Sequence, residues 1–187
     1  DSQIIKNTGF ASVSLTESHL LDMQVTNQKL NPSGPEVTVL STTTTGVFDL
    51  LTLESLEETQ YQLVAHAQDL AGNTTYNTIS YTIDKTPPLI NLISPVANSV
   101  IGGDSAIVNV TGEITDTNFD YYDISIAPVS NNPVWQTIHT GTELADSGFN
   151  IEQSLAVNDG LYLIRLTAYD KAGWQSEQTV EVILDTT

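Results

Sequence analysis

Ala67-Gln68-Asp69-Leu70-Ala71-Gly72-Asn73 returns 101 positions later as Ala168-Tyr169-Asp170-Lys171-Ala172-Gly173-Trp174. At the same offset, Ile83-Asp84-Lys85-Thr86 returns as Leu184-Asp185-Thr186-Thr187, so 15 positions separate the two aspartates of each copy. Upstream, Leu15-Thr16-Glu17-Ser18-His19-Leu20 matches Ile114-Thr115-Asp116-Thr117-Asn118-Phe119 at an offset of 99, a small drift that loop-length variation explains. Self-similarity at this period marks tandem structural units. They meet near Asp84-Lys85-Thr86-Pro87-Pro88, where paired prolines stiffen a linker and bias the preceding residue towards extended geometry. The expected domains are residues 1–85 and 86–187.

Outward from the repeated loops, the pattern is alternation with a period of two. Tyr61, Leu63, Ala65 and Ala67 form one row, and Tyr162, Ile164, Leu166 and Ala168 form its counterpart. Further strands are expected over 10–15, 20–26, 36–40, 46–53 and 74–83 in the first copy. The second offers 89–93, 106–114, 120–127, 134–139, 148–155 and 175–184. Turn chemistry separates them at Asn31-Pro32-Ser33-Gly34-Pro35, Asn131-Asn132-Pro133 and Asn158-Asp159-Gly160. The tract Ser41-Thr42-Thr43-Thr44-Thr45 reads as a hairpin connection or a solvent-facing edge. About seven short strands per hundred residues, without helices, predict an all-β chain of two tandem immunoglobulin-like antiparallel β-sandwich domains. Tyr61 and Tyr162 each open a penultimate strand, the place of a tyrosine corner.

The copies begin unequally. Leu89-Ile90-Asn91-Leu92-Ile93 is an opening strand in the second, whereas the first starts at the counterpart of about position 100. The first domain is therefore expected to lack an opening strand and to be the less stable, and the chain to be part of something longer. The edge near Ser12–Leu15 should be unpaired, or filled by a neighbouring molecule or by residues 1–7.

Composition excludes several functions. With 23 acidic and 5 basic residues, a net charge of −18, the surface repels phosphate backbones and anionic lipid. Neither nucleic acid nor membrane insertion is expected, since no apolar run approaches ~20 residues. The start, Asp1-Ser2-Gln3-Ile4, does not read as a signal peptide, so a targeting segment is expected to be removed or to lie outside this chain. The absence of cysteine removes disulfides, a thiol nucleophile and a thiolate zinc site. His19, His66 and His139 share no ligand spacing. No nucleophile elbow, phosphate loop or dinucleotide fingerprint occurs, and pairs such as Glu57-Glu58 or Asp120/Asp123 are common in a chain this acidic. No enzyme is expected.

A strand of the form Tyr-x-x-x-Ala, then Asp-x-Ala-Gly-Asn, then a strand ending Asp-x-Thr-Pro-Pro, resembles the bacterial Ig-like domains. The resemblance covers nearly the whole chain as two copies. It implies tandem neighbouring Ig-like domains in a secreted or surface-anchored protein, a stalk or adhesin segment at the cell surface, with junctions often stiffened by calcium. The sequence departs from that pattern at Lys85, in place of threonine, and at Trp174, in place of asparagine.

Topology points to the same ion. First and last strands of an Ig-type sandwich run the same way, so the loop joining the last two strands lies at the N-terminal end. In the second copy that end carries Asp170 and the cluster Asp116, Asn118 and Asp120, and the linker delivers Asp84 there. Hard oxygen ligands from three segments suit calcium, which takes ~6–8 oxygens. The alternative is that Asp116 and Asp170 cap turns through their own backbone. The equivalent set in the first copy is Asp69, Asn73 and Glu17. Lys85 supplies a competing cation. A second reading takes Trp135 and Trp174, with Tyr121, Tyr122 and Tyr169, as a sugar-stacking platform, which makes the chain an accessory carbohydrate-binding module of a secreted hydrolase. Tyr121 and Tyr122 are adjacent in a strand, so one of them must face the core. The expected partners are neighbouring domains and a host-surface protein or glycan.

Overall fold

The computed structural model describes residues 3–6, 10–102, 106–144, 148–155 and 158–185. The chain divides into two compact units, Asp1–Lys85 and Thr86–Thr187. Both are built from strands and are immunoglobulin-type sandwiches.

In the first unit the strands are β1 (Gln3–Lys6), β2 (Phe10–Leu15), β3 (Leu20–Leu30), β4 (Ser33–Thr42), β5 (Gly46–Thr52), β6 (Gln60–Asp69) and β7 (Thr74–Asp84). One sheet has the order β1-β7-β6-β3-β4, and β2 pairs with β5 in the other. Alternation in β6 turns Tyr61 and Leu63 inward, where they meet Met23 and Val25 of β3 and Tyr81 and Ile83 of β7. Leu53, in the 3₁₀ turn Leu53–Ser55, closes this core. The Glu57 N–H donates to the Tyr61 hydroxyl oxygen at 3.0 Å, pinning the connection before β6 to the start of that strand.

One polar pair lies inside. The Tyr81 hydroxyl donates to Asn27 Oδ1 at 3.0 Å, and its ring stacks on Tyr61 with centroids 5.5 Å apart. Burial pushes the Tyr81 phenol up to about 12, against the pull of the Asn27 hydrogen bond. The unfolded chain ionises this tyrosine near pH 10 while the folded chain keeps the proton, so the unfolded state gains relative stability as pH rises. We expect the first unit to lose on the order of 2 kcal/mol between about pH 10 and 12 from this group. Chemical denaturation of Tyr81→Phe across that range checks it: the variant should lose less stability there than the parent.

The second unit comprises β8 (Leu89–Ser94), β9 (Val100–Gly102), β10 (Ala106–Thr115), β11 (Phe119–Pro128), β12 (Gln136–Gly141), β13 (Phe149–Leu155), β14 (Gly160–Asp170) and β15 (Gln175–Asp185). Its sheets have the orders β13-β10-β8 and β12-β11-β14-β15-β9. Val108, Val110, Ile124, Ile164, Leu166 and Val182 are wholly buried between them. Each such side chain contributes ~1.5–3 kcal/mol relative to exposure. Of the adjacent tyrosines, Tyr122 enters this core, its ring 5.0 Å from Phe149, while Tyr121 stays on the outer face and stacks on Tyr169 at 4.5 Å. Gly141 of β12 makes room for Tyr122, since a Cβ there would run into the ring.

The strands read from alternation are present, with bounds shifted by a few residues. Two were not expected, β1 and β9. β1 pairs parallel with β7, from Gln3↔Tyr81 to Lys6↔Asp84, and β9 pairs parallel with β15, from Val100↔Ile183 to Gly102↔Asp185. The antiparallel description therefore fails at one edge of each large sheet. Pairing with β7 also means that residues 3–6 do not cover the edge of β2, one of the expected outcomes. Thr43–Thr45 is a crossover rather than a hairpin turn, because β4 pairs with β3 and β5 pairs with β2 in the other sheet. Among the described residues, the sheet containing β2 has two strands where its counterpart in the second unit has three.

Candidate functional site

The repeated motif builds the same loop twice. In the first unit the Asn73 N–H donates to Asp69 Oδ1 at 2.8 Å, and the Asp69 N–H donates to the Asn73 carbonyl at 3.0 Å. In the second, Trp174 N–H donates to Asp170 Oδ1 at 2.8 Å, and Asp170 N–H to the Trp174 carbonyl at 3.1 Å. Gly72 and Gly173 sit at φ 88° and 85°, a left-handed conformation that explains glycine at this place. The motif thus encodes a strand-to-strand loop closed by an aspartate side chain. Hydrogen bonds from Asn73, side chain first and then backbone, hold the Asp69 carboxyl below the usual carboxylate range.

Each loop is tied to the one after the B-type strand, β2 or β10. Leu70 N–H donates to the His19 carbonyl at 2.8 Å, and Lys171 N–H to the Asn118 carbonyl at 2.8 Å. Those neighbouring loops are themselves closed by acids: Glu17 Oε1 accepts from His19 N–H at 3.0 Å, and Asp116 Oδ1 from Asn118 N–H at 2.6 Å. Turn capping by Asp116 and Asp170 is therefore observed.

Within the second unit, Asp116 and Asp170 bring carboxylate oxygens to within 4.8 Å of each other. Twice a calcium–oxygen bond of ~2.3–2.6 Å spans that separation, so both oxygens can reach one ion. Asp170 is buried and Asp116 half-buried, whereas Asp120 is exposed and stands apart from this pair. Asn118 serves the loop through its backbone N–H and carbonyl. Asp84 ends β7 in the first unit, 2% exposed, two positions before the second unit begins. In the first unit the loops of Glu17, Asp69 and Asn73 line a pocket of about 180 Å³.

The Lys85 ammonium donates to the Glu54 carbonyl at 3.2 Å, within the first unit. Sequence reasoning had no way to find this partner, 31 residues upstream in a 3₁₀ turn that alternation does not announce. The histidines have separate neighbours: His19 a Ser18 hydroxyl at 2.9 Å, His66 the Tyr76 ring at 4.4 Å, His139 the Tyr122 hydroxyl at 3.4 Å. Glu57 pairs with Lys29, whose hydrogen bond holds its carboxyl below the usual range.

The two tryptophans sit at different levels of the second unit's sheet. Trp135 lies under the Arg165 guanidinium, 4.0 Å from the ring centroid, and Arg165 is opposite Ser125. Trp174 belongs to the loop beyond Tyr169 and Gln175. Four residues of β14 separate those two levels, ~13 Å along a strand. Both indoles are half-buried.

Fold and end loops together define a tandem segment of immunoglobulin-type β-sandwiches. No protein-family model matches the chain, and no curated protein matches it. Among solved structures, it is similar to a tetra-tandem repeat in the extending region of a large adhesion protein, at 21% identity and a TM-score of 0.44. That likeness covers 97% of this chain, which spans 47% of the other. It is similar to a chain from a 1.5-MDa bacterial ice-binding adhesin at 15% identity and a TM-score of 0.44, over 99% of this chain and 62% of that one. Domains FN1–FN3 of chicken CNTN1 give 13% identity and a TM-score of 0.45, over 99% and 69%. No helix among the described residues is long and apolar enough to cross a membrane.

Proposed function

We propose that this chain is a non-catalytic, load-bearing spacer within a secreted or surface-anchored adhesin-type protein. The parallel pairing of the last strand of each unit, β7 with β1 and β15 with β9, carries this reading. Where tension passes from β1 to β7, it acts on strands that run parallel and are hydrogen-bonded to each other. Force therefore acts along the strands in opposite directions, shearing the ladder's bonds together instead of unzipping them singly. The pair β9·β15 repeats the arrangement at the last strand of the second unit. Stretching single molecules tests this. Ile4→Pro should lower the unfolding force of the first unit, and Ile101→Pro that of the second, each leaving the other unit's rupture unchanged. Rupture forces indifferent to both substitutions would remove the mechanical reading.

The finer part of the proposal is a calcium ion held by Asp116 and Asp170, with Asp84 supplied by the linker as third carboxylate and Asn118 as a neighbouring oxygen donor. Its support is the 4.8 Å approach of the two carboxylates within the second unit and the burial of Asp84 and Asp170. The engagement of Lys85 with the Glu54 carbonyl adds to it. The ion would neutralise part of the local charge and stiffen the linker.

A further inference from the structure

We infer that the outer face of the first unit's large sheet binds an uncharged glycan. Strands β3, β6 and β7 turn Met23, Leu63 and Tyr81 into the core, so the residues that alternate with them face away from it. Tyr76, His66 and Gln24 form one row across the three strands, and Thr78, Val64 and Thr26 form the next. Ser80, Gln62 and Gln28 complete the patch. No aspartate, glutamate, lysine or arginine stands in these rows, in a chain of net charge −18.

The second unit is the internal control. Its β11, β14 and β15 align in the same register, and the repeat offsets put Asp123, Arg165, Glu177 and Glu181 where the first unit has Gln24, Val64, Tyr76 and Ser80. Arg165 and Glu177 pair across that face at 3.6 Å. Charge is therefore what this chain places on a solvated sheet face, and the first unit departs from it at four positions. The opening strand β8 belongs to the opposite sheet, so an opening strand has no bearing on this face in either unit.

Hydrogen-bonding groups and one ring pair take the place of the charges. Tyr76 is 67% exposed, with its ring 4.4 Å from that of His66. The short side chains of Thr78, Val64 and Thr26 make a shelf between this ring row and the amides of Gln62 and Gln28, two rows that stand ~13 Å apart along the strands. Gln24 Nε2 donates to Thr38 Oγ1 at 3.4 Å and Gln28 Nε2 to the Gly34 carbonyl at 3.1 Å, which orients both amides before a ligand arrives. A sugar ring lays its C–H face on Val64 and Tyr76, and its hydroxyls donate and accept as amides and threonine hydroxyls do. An anionic partner is repelled by the chain's net charge. A peptide finds no backbone ladder on β3 or β6, which are paired on both sides, and no large aliphatic anchor in these rows.

Affinity electrophoresis of the intact chain tests the proposal, in native gels holding soluble cellulose-, xylan-, mannan- or dextran-type polymers. These polymers are uncharged, so retardation reads binding rather than ion exchange. We expect at least one to retard the chain, and Tyr76→Glu, which installs the second unit's residue, to weaken that affinity at least about tenfold, equivalent to ~1.4 kcal/mol. Gln62→Ala should act in the same direction. Tyr76 is exposed, so its variant should keep the parent's melting transitions. Unretarded migration in every gel overturns the proposal, as does retardation that both substitutions leave unchanged. Retardation kept in Tyr76→Glu but lost in Trp135→Ala overturns it by moving the sugar to the second unit. A dimer that Tyr76→Glu dissolves, with no retardation by any polymer, overturns it by making the occupant a second copy.

Discussion

Removing calcium is expected to lower the melting temperature of the second unit by roughly 10–20 °C. The size follows from linkage: an ion that binds only the folded state, at about 100 times its Kd, stabilises by ~2.7 kcal/mol, and each kcal/mol moves a ~100-residue unit by about 4–8 °C. The physical source is the pair Asp116 and Asp170, whose oxygens lie within 4.8 Å and repel one another as anions. Calorimetry with and without chelator measures the shift. Asp170→Asn should abolish the calcium response, and Asp84→Ala should diminish it. Lys85→Thr should leave the chelation step in place, since that ammonium is bound to the Glu54 carbonyl. A parent melt indifferent to chelator and calcium would remove the ion and leave both aspartates as turn caps. Loss of the calcium response in Lys85→Thr would instead make Lys85 part of the site.

Ile164→Ala should cost the second unit about 3–4 kcal/mol, because a wholly buried branched side chain is removed from the centre of its core. Ile164 lies in the middle of β14, opposite Ile126 on one side and Val180 on the other. The two core clusters draw on separate residues, so the transition of the first unit should stay where it is. Among the described residues the first unit's core holds fewer buried side chains, and we expect it to melt first in the parent. The substitution should bring the second transition down towards it. Two-probe denaturation reads both transitions; a loss below about 1 kcal/mol in the second unit would mean that this core collapses around the gap.

Much of the fold was legible because strand formation here is governed by local pattern. Tyr61 and Leu63, or Ile164 and Leu166, alternate with polar neighbours, and Asp-x-Ala-Gly announces the loop that follows. The strands β1 and β9 were not legible. Gln3–Lys6 and Val100–Gly102 are too short to show a period, and each is held by a partner about 80 residues away. The end-loop aspartates were singled out from repeat spacing and strand direction together. Adjacency of Tyr121 and Tyr122 showed that one of them turns inward, but the level of Trp135 relative to Trp174 was not legible, because β11, β12 and β14 set it jointly.

The sequence by itself determined the all-β class, the repeated loops and the pairing of Asp116 with Asp170 as a place to look. Those depend on side-chain alternation, glycine's backbone freedom and chain direction, all of which act within a few residues. Only the tertiary structure decided that β1 pairs parallel with β7 and β9 with β15, and that Lys85 donates to the Glu54 carbonyl. Each of these turns on which backbone or side-chain group, dozens of residues away, satisfies a hydrogen bond or covers an apolar surface. Alternation leaves that choice undetermined, and close packing of two sheets makes it.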